Sequence, residues 1–204
     1  MRMNQTNNQA LLRGFVMDTP VESHKVHGIQ FYRFPLCVPR LSGREDILNI
    51  LIPAPLLQAC PLSPNLHVEV TGEIRSFNNR SGVGNRLLIT LFARTLTPTE
   101  DEFCNELSLN GVICKPPILR RTPLGRDICD ILLAVNRKYR RADYLPCIAW
   151  GSLAVYCAQL QVGDPILISG RLQSRQYTKN MENQSIEHTA FEISIMSMET
   201  PSDT

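Results

Sequence analysis

The 204-residue sequence is short of several things. Aromatic residues make up only 6% of it and tryptophan occurs once. It also lacks charge of one sign: 21 Lys and Arg stand against 19 Asp and Glu, a net of +2, so bulk electrostatics does not announce a polyanion partner. No long apolar run is present. The longest candidate, Ile47 to Cys60, carries Asn49, Pro53, Pro55 and Gln58, so nothing is expected to span a bilayer. The opening MRMNQTNNQA is polar and has no apolar core of the kind a signal peptide needs. Cysteines number seven, an odd count with no C-x-x-C pair, which suggests neither a disulfide framework nor a zinc site. Cys37, Cys129 and Cys147 lie inside apolar runs and are expected as reduced core residues. A hydrophobic share of 43% excludes disorder as the main state. These absences together describe a soluble, cytoplasmic protein of one or two domains.

What is present is a repeat. Shifting the sequence by 97 residues aligns Leu12–Cys60 with Leu109–Cys157 without a gap, and twelve of the 49 positions are identical. Ordinary composition would give roughly three. The identities include Leu12/Leu109, Gly14/Gly111, Gly28/Gly125, Leu36/Leu133, Arg40/Arg137, Asp46/Asp143, Leu48/Leu145 and Cys60/Cys157. One inserted residue later the register resumes, pairing Gly72 with Gly170 and Ser76 with Ser174. The chain therefore reads as two copies of one domain, residues 10–98 and 107–198, parted by the acidic stretch Thr97–Glu106.

Each copy is strand-rich. In the second, residues 109–114, 127–137, 144–150, 165–177 and 190–198 read as strands. One helix is expected over Ser152–Leu160, with Ser152 as its cap, and its counterpart over Pro53–Pro61 with Pro55 in the first turn. The polar segments 76–86 and 178–188 read as loops. Five strands with a helix between the third and fourth is the order of the OB-fold, so the expected fold is all-β, two tandem Greek-key barrels.

Charge by segment is more informative than charge in total. Between Lys115 and Lys179 eleven basic residues face four acidic ones, a net of +7, while the flanks hold the compensating acids. Tyr139, Tyr144, Trp150 and Tyr177 are interleaved with these charges, and Tyr144 and Trp150, six apart on one strand, share a face. Rings on a barrel face beside Arg and Lys make a base-stacking platform with a phosphate-tracking groove. Arg120, Arg121, Arg137, Lys138, Arg140, Arg171 and Arg175 are the candidate phosphate contacts, although Arg120 and Arg121 have Asp127 and Asp130 as alternative partners.

At these residues the second copy resembles the bacterial single-stranded DNA-binding protein family. The resemblance is carried by Arg121–Gly125, Leu133–Arg137, Asp143–Ala154, Gly163-Asp164 and Gly170–Tyr177, in that order along about residues 107–198. It implies a non-catalytic protein that coats single-stranded DNA in replication, recombination or repair, with Tyr139, Tyr144, Trp150 and Tyr177 stacking on bases and no cofactor. It also implies an assembly presenting four OB-folds, which two such chains would supply as a homodimer. Replication or repair proteins are the expected further partners, and the carrier of the gene is a chromosome or a mobile element. The end, METPSDT, holds only Glu199 and Asp203 and lacks the acidic tip the resemblance implies.

The first copy departs from that pattern. Ser42, Ile47, Pro53 and Asn79 occupy its four stacking positions, and none can stack a base. Phe31, Tyr32, Phe34 and Phe77 offer an alternative surface, but a role in assembly or protein contact is the stronger expectation. The rival reading of the whole chain is accordingly an OB-fold adaptor of primosome type with weak nucleic-acid affinity. His24 and His27 have no carboxylate or cysteine beside them, so no metal site is expected. SGVGN at 81–85 lacks the Lys-Ser/Thr of a phosphate loop, and no catalytic constellation stands out.

Overall fold

The protein is described from a computed structural model covering residues 7–79, 87–181 and 184–200, with side chains described except at 177–188. The first repeat runs β1 (Asn8–Val16), β2 (Val21–Val26), β3 (Ile29–Pro39), β4 (Glu45–Pro53), α1 (Ala54–Ala59), β5 (His67–Asn78) and β6 (Leu87–Pro98). The second runs β7 (Cys104–Ile113), β8 (Ile118–Arg121), β9 (Asp127–Arg137), a 3-10 turn (Lys138–Arg140), β10 (Arg141–Trp150), α2 (Ser152–Cys157), β11 (Pro165–Met181) and β12 (Gln184–Glu199). Among the described residues no helix is long and apolar enough to cross a membrane.

Both repeats close in the same way. β1 pairs antiparallel with β5 along Ala10–Phe15, then with β3 at Phe15↔Cys37 and Val16↔Leu36, so one strand joins both ends of the sheet. β7 does the same with β11 and, at Val112↔Ala134 and Ile113↔Leu133, with β9. The one parallel contact is also shared: Ile50 faces Leu91 between β4 and β6, and Cys147 faces Ile193 between β10 and β12. Five strands thus form each barrel, and the short β2 or β8 flanks it as a hairpin arm on β3 or β9. Counted by barrel strands, the helix falls between the third and fourth, the OB-fold order.

The positions the repeats share are those the barrel needs. Leu12/Leu109, Leu36/Leu133 and Leu48/Leu145 are all at most 1% exposed and fill the two cores. Gly14 and Gly111 sit where the first strand of each barrel crosses the second, β3 or β9. A Cβ there would come within 2.2 Å of the Cys37 carbonyl oxygen or 2.7 Å of that of Ala134, so only glycine lets the barrel shut. Asp46 and Asp143 are wholly buried, and each is paired with the arginine six residues before it, Arg40 or Arg137. Cys37, Cys129 and Cys147 are buried free thiols.

Three local expectations are corrected. Ser152 does not cap α2; Gly151 does, with φ 60° and no side-chain cap bond, and the helix ends at Cys157 rather than Leu160. Residues 76–78 continue β5 instead of starting a loop, and 80–86 lie outside the described residues. Residues 178–181 and 184–188 belong to the β11–β12 ladder, which runs out to Met181↔Gln184. A ribbon with polar residues on both faces carries no period-2 hydrophobic signal, so its text resembles a loop.

By compactness the chain divides into an N-terminal unit, Gln9–Arg75 with Ile89–Glu106, and a C-terminal unit, Met1–Asn8 with Ser76–Leu88 and Leu107–Thr204. This division departs from the repeat boundaries chiefly at Ser76–Leu88, which belongs to the first repeat in sequence and to the C-terminal unit in space.

Candidate nucleic-acid interface

β10 has the hydrophobic text of a buried strand, yet two of its largest side chains are open to solvent. Tyr144 is 51% exposed and Trp150 is 40% exposed, while Leu145, Cys147, Ile148 and Ala149 between them are buried. Both rings stand on the outer side of the barrel wall, about 20 Å apart at the rise of an extended strand. Tyr139 is 92% exposed in the turn between β9 and β10, with left-handed φ/ψ of 61° and 38° that hold its ring off the barrel. The backbone of Tyr177 lies in β11 opposite His188, and its side chain lies outside the described set.

Ladder register places the basic side chains around these rings, because residues directly opposite in neighbouring strands share a face. Trp150 lies opposite Ile128, and Ile128 opposite Arg120, so tryptophan and arginine occupy one row across β10, β9 and β8. Arg171 and Arg175, four residues apart on one face of β11, lie opposite Ser194 and Ala190, and Ser194 lies beside Ile148 of β10. Lys138 and Arg140 flank Tyr139 and are exposed.

The arginines are not equivalent. Arg120 donates to Asp130 at 2.5 and 3.0 Å, and Arg121 to Asp127 at 2.8 and 3.3 Å. The Arg121 bonds hold the Asp127 carboxyl below its usual range. These pairs are exposed, where an ion pair contributes about 0–1 kcal/mol, so a phosphate oxygen can take the place of the carboxylate at little cost. Arg137 is different: it donates at 3.2 Å to the buried Asp143 and is itself mostly covered. Leaving that carboxylate unpaired would be expensive, so Arg137 is tied to the framework.

Two polar residues of this face escaped the sequence reading. Gln173 is buried and donates from Nε2 to Glu192 Oε1 at 2.8 Å, and Glu192 also faces Arg175 at 3.9 Å. Glu192 lies beyond the 115–179 window and enters the face through the Gln173↔Glu192 step of the ladder. Only the strand register could have revealed it.

The N-terminal unit uses the corresponding wall otherwise. Ile47, 45% exposed, stands at the position of Tyr144. The rings nearby contact one another: His24 stacks on Phe31 with centroids 5.2 Å apart, and Phe31 tilts against Phe92 at 5.6 Å. The Arg94 guanidinium lies 4.9 Å above Phe92 and donates to Glu73 at 3.1 Å. Of the residues of the alternative surface, Phe31 and Phe34 are buried and so offer no open ring face. Elsewhere on the N-terminal unit, Phe15, His67 and Phe103 touch mutually with centroids 5.0–5.2 Å apart, and Phe15 and Phe103 are exposed.

Comparison with known proteins bears on both repeats. The family model described as "Single-strand binding protein family" matches residues 104–200, the second repeat. Single-stranded DNA-binding protein B of Bacillus subtilis is 36% identical over 83 residues, covering 36% of this chain and 71% of that protein. Single-stranded DNA-binding protein A of the same organism is 36% identical over 89 residues, covering 40% of this chain and 51% of that protein. The solved wild-type single-stranded DNA-binding protein from Thermus aquaticus superimposes with a TM-score of 0.77 at 22% identity, covering 97% of this chain and 94% of that one. That likeness extends the shared fold to the first repeat, where the family model finds no match. On the identity and coverage of its second repeat, this chain belongs to the single-strand binding protein family.

Proposed function

We propose that this protein binds single-stranded DNA with little sequence preference and without catalysis, on the outer wall of the second barrel, built from β7 and β9–β12. The observation that carries the reading is the exposure of Tyr144 and Trp150 on one face of a strand where Leu145, Cys147, Ile148 and Ala149 between them are buried. Stacking on such rings is tolerant of sequence because every base has a π-face. Tyr139 and Tyr177 extend the platform. Arg120, Arg121, Lys138, Arg140, Arg171 and Arg175 supply phosphate contacts, and Arg137 contributes mainly by holding Asp143. The names of the relatives support the ligand class. Coating of exposed strands during replication or repair, in the cytoplasm, follows as the biological setting.

Trp150 is the only tryptophan, so it reports on its own site. Titration with oligo-dT should quench its fluorescence, and added salt should reverse the quenching, with a log–log slope of about −0.7 per phosphate neutralised. A folded protein that neither quenches nor binds by anisotropy would overturn the reading.

For the N-terminal unit, which holds most of the first repeat, residues 10–98, the exposed Phe15 and Phe103 beside His67 favour protein contact over base stacking. Two chains would present four OB-folds, and light scattering at twice the 23.0 kDa chain mass would support that assembly. A monomer mass would refute it.

A further inference from the structure

Strand β10 is laddered to β9 along its whole length, but its other edge meets β12 only at Cys147 and Ile148. The stretch that carries Tyr144 is finished on that edge by a residue from far away in sequence. Ser76, in the last residues of β5 and part of the C-terminal unit, accepts the Tyr144 backbone N–H on its Oγ at 2.9 Å. Its own N–H donates to Asp143 Oδ1 at 2.8 Å, and its Oγ lies 3.4 Å from the same oxygen. Arg137 also donates to that oxygen, at 3.2 Å. A single hydroxyl can do this because it has one donor and two acceptor lone pairs. It thereby clamps two successive residues, one buried carboxylate and one exposed ring.

We propose that Ser76 is a positioning residue for Tyr144: it fixes the peptide from which the ring projects and so sets the ring in its stacking attitude before a strand arrives. The inference rests on the single-stranded DNA reading above. A ring's direction follows from its backbone dihedrals and rotamer, and a tethered amide removes the dihedral freedom that binding would otherwise have to freeze out. The first repeat, whose own stacking positions hold Ser42, Ile47, Pro53 and Asn79, thus contributes to the platform through a serine rather than through a ring.

The test uses the full chain with Ser76→Ala, Ser76→Thr, Tyr144→Ala and the Ser76→Ala/Tyr144→Ala double variant. S76A should weaken oligo-dT binding about threefold, the size expected for one neutral hydrogen bond. S76T, which keeps the hydroxyl, should restore it. On the Y144A background S76A should change affinity by less than about 1.5-fold, because the ring it positions is gone. A second readout needs no DNA: exchange of the Tyr144 amide proton should accelerate in S76A and return to the wild-type rate in S76T. Wild-type affinity in S76A, an equal loss in both backgrounds, or unchanged Tyr144 exchange would each overturn the proposal. If the wild-type chain failed to bind oligo-dT, the ligand reading would fall, and the amide exchange would still decide whether Ser76 holds Tyr144.

Discussion

The two repeats place aromatic side chains on the same wall of the same barrel and do opposite things with them. In the N-terminal unit His24, Phe31 and Phe92 contact one another, Arg94 covers the last ring, and Glu73 holds Arg94. In the C-terminal unit Tyr144 and Trp150 stand apart and open on a strand where Leu145, Cys147, Ile148 and Ala149 between them are buried. Rings satisfied by each other have little face left for a base, whereas separated rings beside arginine do. The fold is thus a constant, and function is decided by what the outer wall carries.

The largest expected effect tests the constant part. Asp46 and Asp143 are both wholly buried against an arginine, so Asp46→Ala and Asp143→Ala should each destabilise the fold by about 3–5 kcal/mol, seen as lower midpoints in urea. Similar losses would confirm that the barrels share a framework. A silent Asp46→Ala would break the equivalence.

Next in size is the part that differs. Trp150→Ala should weaken oligo-dT binding by about 1–3 kcal/mol, roughly 5- to 150-fold, while Pro53→Ala at the corresponding position should leave affinity unchanged. Anisotropy titration separates these outcomes. A comparable loss from Pro53→Ala would put the N-terminal wall in contact with the strand.

A smaller effect distinguishes the arginines. Arg175→Gln should reduce the salt slope of binding by about 0.7, the share of one phosphate contact on a single strand. Arg94→Gln should leave the slope alone, because that guanidinium is engaged with Phe92 and Glu73. Equal changes in slope would mean that both walls track the backbone.

How much of this was legible beforehand follows from the kind of signal each feature leaves. The barrel was, because Leu12/Leu109, Leu36/Leu133 and Gly14/Gly111 repeat at one offset and are fixed by packing that both copies need. Tyr144 and Trp150 were legible through strand periodicity together with the basic residues interleaved with them and the family resemblance. What could not be read were properties of pairing. Glu192 reaches the basic face only through the β11–β12 register, and Ser76 reaches Tyr144 only through the fold. The Arg137–Asp143 pair was present as two repeated letters, but nothing in the letters says that the carboxylate is buried. Ser152 misled because a residue of cap type followed a glycine whose backbone does the capping.

The finest distinction concerns two thiols at equivalent positions. Cys60 follows α1 and Cys157 is the last residue of α2, and burial raises both pKa values, that of Cys157 to about 11. Cys157 is 0% exposed and Cys60 is 8% exposed. The thiolate is the reactive form, and attack also needs access, so at pH 8 Cys60 should be alkylated before Cys157. Mass spectrometry of peptides after brief iodoacetamide treatment would read the order. The same shift has a consequence for stability whose sign is fixed. A thiol with a raised folded pKa holds its proton longer in the native state than in the unfolded chain. Its contribution is therefore complete below about pH 9 and declines as pH climbs toward 11, where the unfolded chain ionises first. Cys157→Ser should flatten that alkaline decline, whereas Cys60→Ser should flatten it less. If both variants kept the wild-type slope between pH 9 and 11, the decline would belong to other groups and the two helix-end thiols would be equivalent after all.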